Sequence, residues 1–265
     1  MKILITGAHG FVGNRLMQDL DDTVAAPSMR SMSEEQIRNM IEKSRADVII
    51  HTAAISDVGM CEKNREASYE ANVRLPLFLA KAAKEQKLIC FSSDQVYRGC
   101  AGEGPYKEED ASPCNVYGRH KLEMEQRVLD VKPDAVMLRA EWMYDYPTKR
   151  SNYLRMLLNE KQVLTFGKQY RGITYLREVA ENMPKIFMLP GGVYNFGSET
   201  KQTMYDITCE MLHFLKSDRK PEEVPPAHNL WMDCTKAKER GILFSDAKEG
   251  LKRCLKDYHL TKDRE

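Results

Sequence analysis

The first thirteen residues, Met1 to Gly13, read MKILITGAHGFVG. Ile3, Leu4, Ile5 and Thr6 form a short run rich in branched apolar side chains, the pattern of a buried parallel strand. The run passes straight into glycines at 7, 10 and 13, which open an apolar-periodic stretch from Phe11 to Leu20. The spacing therefore predicts a strand, a tight turn and the N-terminus of a helix. Three glycines suit three demands of such a turn: a sharp reversal, close approach of the backbone to a pyrophosphate, and tight packing of helix on strand. The free amides and positive dipole end of the helix would face the phosphates, with Phe11 and Val12 at the same end.

Working outward, Thr23 to Ala26 reads as a second strand and Met32 to Lys43 as a helix, with Ser33 as its N-cap. In dinucleotide-binding turns an acid at the end of this strand binds ribose hydroxyls, whereas an arginine accommodates a 2′-phosphate. The segment here is AAPSMR, with Ser28 and Arg30 and no acid, which leans to NADP(H) over NAD(H). Asp47 to His51 is a third strand, followed by the small residues Thr52, Ala53 and Ala54 that let a ligand lie close over the backbone. Residues 66–85 show helical spacing interrupted by Pro76, which predicts a kink. Lys87 to Ser93 is a fourth strand, ending in two hydroxyls and Asp94. A long polar loop follows, then a helix from about Val116 to Leu129 and a fifth strand, Ala135 to Arg139.

Strands alternating with helices in this way imply an α/β architecture, a Rossmann-type doubly wound parallel sheet. The last 120 or so residues are less regular. Helices are expected at 151–160, 176–188, 203–216 and 247–258, a strand at 192–196 and a linker or turn at 221–226. This predicts a dinucleotide-binding domain over 1–145 and a smaller, interleaved C-terminal substrate lobe over 146–265, with some segments returning to the first domain.

Composition narrows the partners. With 40 basic and 39 acidic residues in 265, no global field favours nucleic acid or an anionic membrane. No apolar run reaches 18 residues, and the start is too short an apolar run for a secretory signal, so a soluble cytoplasmic protein is expected. Seven cysteines without CxxC spacing suggest reduced thiols, with neither a disulfide framework nor a metal site.

Tyr117 and Lys121, four apart, share one helical face. A tyrosine titrates near 10, so a cation one turn away would favour phenolate and fit it for proton transfer. Together with the glycine turn, Ser93 and Asn72, this pair makes the chain resemble the extended short-chain dehydrogenase/reductase family, and within it the dTDP-4-dehydrorhamnose reductase branch. The resembling stretches are ITGAHGFVGNRL, DVIIHTAAISDVGMCE, FSSDQVY, PYKEEDASPCNVYGRHKLEMEQ, LRAEWMY, QYRGITYLREVAE and NLWMDCTKAKERGILFSDAKEGL.

The resemblance implies an NADP(H)-dependent reductase of a nucleotide-linked 4-keto-6-deoxy sugar. It makes Tyr117 the general acid, has Lys121 hold the ribose hydroxyls and depress the tyrosine pKa, has Ser93 polarise the carbonyl, and gives Asn72 a supporting role. Gly7, Gly10, Gly13, Ala53 and Ala54 would lie along the cofactor. Val58, Asp94 and Trp142 would meet the sugar, and Gln169 and Arg171 the diphosphate or base. A homodimer is suggested by the same likeness. Two alternatives stay open: a nucleotide-sugar epimerase or dehydratase, and a non-catalytic cofactor-binding regulatory subunit. Three positions depart from the branch's pattern: Gln95 replaces an aromatic, Ile173 a proline, and Glu141 a small hydroxyl residue.

Overall fold

The computed structural model describes residues 1–148 and 150–261. In chain order the elements are β1 (Ile3–Thr6), α1 (Phe11–Asp19), β2 (Thr23–Ala25), α2 (Glu34–Ser44), β3 (Val48–His51), α3 (Val58–Lys63), α4 (Arg65–Tyr69), a π-turn (Glu70–Arg74), α5 (Leu75–Ala82), β4 (Lys87–Ser93), α6 (Val116–Val131) and β5 (Val136–Ala140). Then come β6 (Trp142–Tyr144), α7 (Tyr153–Leu158), β7 (Thr165–Phe166), β8 (Ile173–Tyr175), α8 (Leu176–Ile186), β9 (Gly192–Phe196), α9 (Met204–Phe214), β10 (Glu222–Glu223), α10 (Thr235–Lys238) and α11 (Ala247–Asp257).

Six strands form one parallel sheet in the order β2-β1-β3-β4-β5-β9. Alternate side chains go to opposite faces, as the pleat requires. Ile3, Ile5, Val48, Ile50, Ile89 and Phe91 pack under α1 and α8, while Leu4, Ile49, Leu88 and Cys90 pack under α2, α5 and α6. Burial on both faces explains why these strands read as continuous apolar runs. Because β2 and β3 flank β1 on opposite sides, the chain order reverses beside β1. In such sheets this reversal opens a crevice at the strands' carboxyl ends.

A third core, outside the sheet, joins Tyr144, Tyr153, Leu164, Tyr175, Met211 and Leu251. It belongs to the segments after residue 141, where β6 pairs with β8 and β10 with β7. The 221–226 stretch is thus no plain linker, since Glu222 and Glu223 pair with Thr165 and Phe166. The chain returns to the main sheet through α8 and β9.

The kink expected at Pro76 takes the form of a π-turn just ahead of it. The Leu75 amide reaches back to the Glu70 carbonyl, and Pro76 then sits in the first turn of α5, where its missing N–H breaks no helical bond. Ser33 caps α2 with a complete capping box to Gln36. No helix among the described residues is long and apolar enough to cross a membrane.

Candidate active site

The crevice holds a cavity of about 600 Å³, within the range of small-molecule sites. One end is the glycine turn. Gly7 has φ +69°, and a Cβ on it would stand 2.7 Å from the Ala53 nitrogen. A side chain there would therefore split β1 from the backbone after β3. A Cβ on Gly13 would collide with the Gly7 carbonyl, so α1 can press on the turn only as glycine. Gly10 is the residue ahead of α1, and with Phe11 and Val12 it lines the cavity. This cradle fits the pyrophosphate of a dinucleotide: its backbone is bare, it faces a helix N-terminus, and it opens toward Ala53 and Ala54.

At the other end, α6 is tied to the tip of β4 one turn at a time. Tyr117, Lys121 and Glu125 share one face; Lys121 Nζ donates to the Phe91 carbonyl at 2.7 Å, and Ser92 Oγ donates to Glu125. Asn115 caps the helix by accepting from the Gly118 amide at 2.7 Å and donates to Gln95 Oε1 at 3.0 Å. Gly118 lies hard against the Gln95 carbonyl, where any Cβ would clash. These contacts fix Tyr117 beside Ser93. Below them Arg139 grips Glu125 through Nε and Nη2, at 3.0 and 2.7 Å, and donates to Tyr97 Oη at 2.7 Å.

One expectation is corrected here. Burial raises the Tyr117 pKa, with Asp94 and Cys61 adding to the rise and Ser93 and Arg150 opposing it. The Lys121 ammonium sits 5.8 Å from the tyrosine ring centre and gives one of its three donors to the Phe91 carbonyl, and burial of the phenol outweighs its pull. Burial also lowers Lys121, to about 8, against the pull of Cys90 and Glu125. At neutral pH the phenol keeps its proton, the form a general acid needs.

Val58, Asp94, Trp142 and Arg171 all line the cavity. Ser93 Oγ donates to Asp94 Oδ1 at 3.1 Å, and Arg171 grips Asp94 Oδ2 at 2.9 Å while lying 5.3 Å over the Trp142 ring. Asn72 is fully buried below the cavity and holds both backbone groups of Ile55, donating at 2.9 Å and accepting at 3.1 Å. Ser28 and Arg30 sit on the exposed loop after β2, and Gln169 faces the Ala227 amide at 3.4 Å; none of the three lines the cavity.

A family model described as RmlD substrate binding domain matches residues 1–260. The chain belongs to that family. It is 28% identical over 243 residues to a dTDP-4-dehydrorhamnose reductase of Aggregatibacter actinomycetemcomitans, covering 84% of this chain and 82% of the relative. It is 27% identical over 278 residues to methionine adenosyltransferase 2 subunit beta of Mus musculus, covering 91% and 83%. Its fold matches the crystal structure of a dTDP-4-dehydrorhamnose reductase from Bacillus anthracis in complex with NADP, with a TM-score of 0.86 at 22% identity over 97% of this chain and 99% of that one. The resemblance to extended short-chain dehydrogenase/reductases holds.

The cavity also contains Arg150, a residue that the sequence did not single out. Arg150 donates to Ser56 Oγ at 2.9 Å and lies 6.0 Å over the Phe11 ring, spanning the mouth between glycine turn and lobe. It stands in a loop without periodicity, and only coordinates bring it to Phe11. Thr52 Oγ1 donates to the Thr6 carbonyl at 2.8 Å, tying β3 to β1 beneath the turn.

Proposed function

We propose that the protein is an NADP(H)-dependent reductase of a nucleotide-linked 4-keto-6-deoxy sugar, with dTDP-4-dehydrorhamnose as the leading substrate. Residues 1–145 hold the cofactor, and residues 146–265 supply substrate contacts. One observation carries this reading: a buried phenol, a serine hydroxyl and a glycine cradle border a single cavity. A bound dihydronicotinamide supplies the hydride. Tyr117 keeps its proton on Oη until it passes to the carbonyl oxygen, and Ser93 Oγ donates a hydrogen bond to that oxygen and polarises the carbonyl. Lys121, fastened to Phe91, sits behind Tyr117 as the cation for ribose hydroxyls. Asn72 acts at a distance, holding Ile55 and with it the backbone beside Ala53 and Ala54. Arg171 and Trp142 flank the sugar. Preference for NADP(H) rests on the absence of an acid after β2, and on the NADP in the Bacillus anthracis reductase.

The test is consumption of NADPH with a panel of 4-keto-6-deoxy nucleotide sugars, followed by nicotinamide absorbance. Tyr117→Phe is expected to slow turnover by about 10²–10⁴-fold without changing the melting temperature. Failure of the native protein to oxidise NADPH with every sugar would overturn the reading. A regulatory role, supported by the likeness to methionine adenosyltransferase 2 subunit beta, is the second reading; it predicts that Tyr117→Phe leaves function intact.

A further inference from the structure

Glu141 follows β5 directly. Ala140 pairs in register with Ser93, so Glu141 lies one strand across from the Ser93–Asp94 step, and adjacent strands stand about 4.8 Å apart. Its carboxyl occupies a slot that two glycines leave open: a Cβ on Gly172 would overlap one carboxyl oxygen and a Cβ on Gly197 the other. The residue is 93% buried, being 7% exposed, and it lines the cavity.

The two oxygens differ. Thr174 Oγ1 accepts from the Ser198 amide at 3.0 Å, which leaves its proton to donate to Glu141 Oε2 at 2.9 Å. Oε2 is therefore an acceptor. Oε1 has no hydrogen-bond partner among the described residues, and neighbouring Arg171 is already committed to Asp94. Burial favours the acid form, helped by the Asp94 charge and opposed by Thr174, Arg171 and the nearby Ser198 amide. In that form the proton belongs on Oε1, the oxygen that Thr174 does not address.

We infer that Glu141 determines specificity: Oε1 donates a hydrogen bond to the oxygen substituent on the sugar carbon next to the reacting carbonyl. Ser93, Tyr117 and Glu141 line one cavity, so a sugar whose carbonyl is held at Ser93 and Tyr117 presents a neighbouring hydroxyl to Glu141. A sugar lacking that oxygen leaves a buried donor unmatched, which is how polar sites reject deoxygenated analogues. The inference rests on the reductase reading, because Ser93 and Tyr117 place the carbonyl.

The experiment is calorimetric titration, with NADP⁺ present, of two 6-deoxy nucleotide sugars differing only in the hydroxyl at C3, against the native protein, Glu141→Gln and Glu141→Met. The native protein should favour the hydroxylated sugar by about tenfold or more. Glu141→Gln can accept from Thr174 and donate into the cavity, so it should keep that preference to within about threefold, and Glu141→Met should lose it. An indifferent native protein, a Met variant that still discriminates, or a Gln variant that fails as Met does would each overturn the inference while sugar binding itself persists. No binding of either sugar by the native protein would overturn the reductase reading, and this inference with it.

Discussion

Two arginine–carboxylate pairs stand on opposite sides of the Ser92–Ser93 step, and they are built differently. Ser92 faces Glu125 and Arg139, whose side chains are 2% and 3% exposed, whose contacts are forked, and whose neighbours are further hydrogen-bond partners. Ser93 faces Asp94 and Arg171; here Asp94 is buried, but Arg171 is 27% exposed and holds a single carboxylate oxygen. The inner pair joins α6 to β4 and β5 and has no route to a ligand. The rim pair borders the cavity, so its part-exposed arginine faces both Asp94 and any anion bound there, and Asp94 keeps its Ser93 hydrogen bond. Alternation along one strand thus turns two adjacent serines to two tasks, holding the scaffold and presenting the site.

Breaking the inner pair has the largest expected effect. Arg139→Met strands the Glu125 carboxylate and should cost about 3–5 kcal/mol of stability, read by denaturant unfolding. Removing both charges in Arg139→Met with Glu125→Leu should recover much of that loss. A single variant as stable as the native protein would erase the distinction. At the rim, Arg171→Met leaves Asp94 its Ser93 hydrogen bond and its place on the cavity wall, so it should cost less than Arg139→Met, about 1–3 kcal/mol. The same variant should weaken nucleotide-sugar binding about tenfold, the usual loss for a charge-assisted bond. Unchanged sugar affinity would return Arg171 to a structural role.

A third test is a pH dependence. The Lys121 pKa is about 8 in the fold against 10.5 ordinarily, so between those values the unfolded chain binds more protons and native stability rises with pH. The burden on the fold is complete below about 8 and gone above 10.5. Thermal melts across that window should show the native protein gaining on Lys121→Met. A constant difference between the two would contradict the burial argument.

What was legible in the sequence divides along the same line. β1 with its glycines, the register of α6 and the strands through β5 announced themselves because period and glycine spacing are local properties. The cradle and the Tyr117–Lys121 face followed from them. The sense of the Tyr117 shift did not, because burial depends on how β4 and α6 close over the ring and not on which residue lies four positions away. Nor did β6–β8 and β7–β10, each only two or three residues long and paired across tens of positions. Glu141 was visible as an anomaly, but its slot is made by Gly172 and Gly197, two distant glycines that no periodicity links. Arg150 gave no signal at all.

The central claim is that a protonated tyrosine and a reduced nicotinamide act together on a sugar carbonyl. It is tested most directly by incubating the native protein with a 4-keto-6-deoxy nucleotide sugar and NADPH carrying deuterium at its transferable C4 position, then analysing the sugar by mass spectrometry and NMR. The account predicts one deuterium on the former carbonyl carbon and one NADP⁺ for each sugar reduced. A sugar recovered epimerised or unchanged, with no deuterium and no net cofactor oxidation, would contradict it.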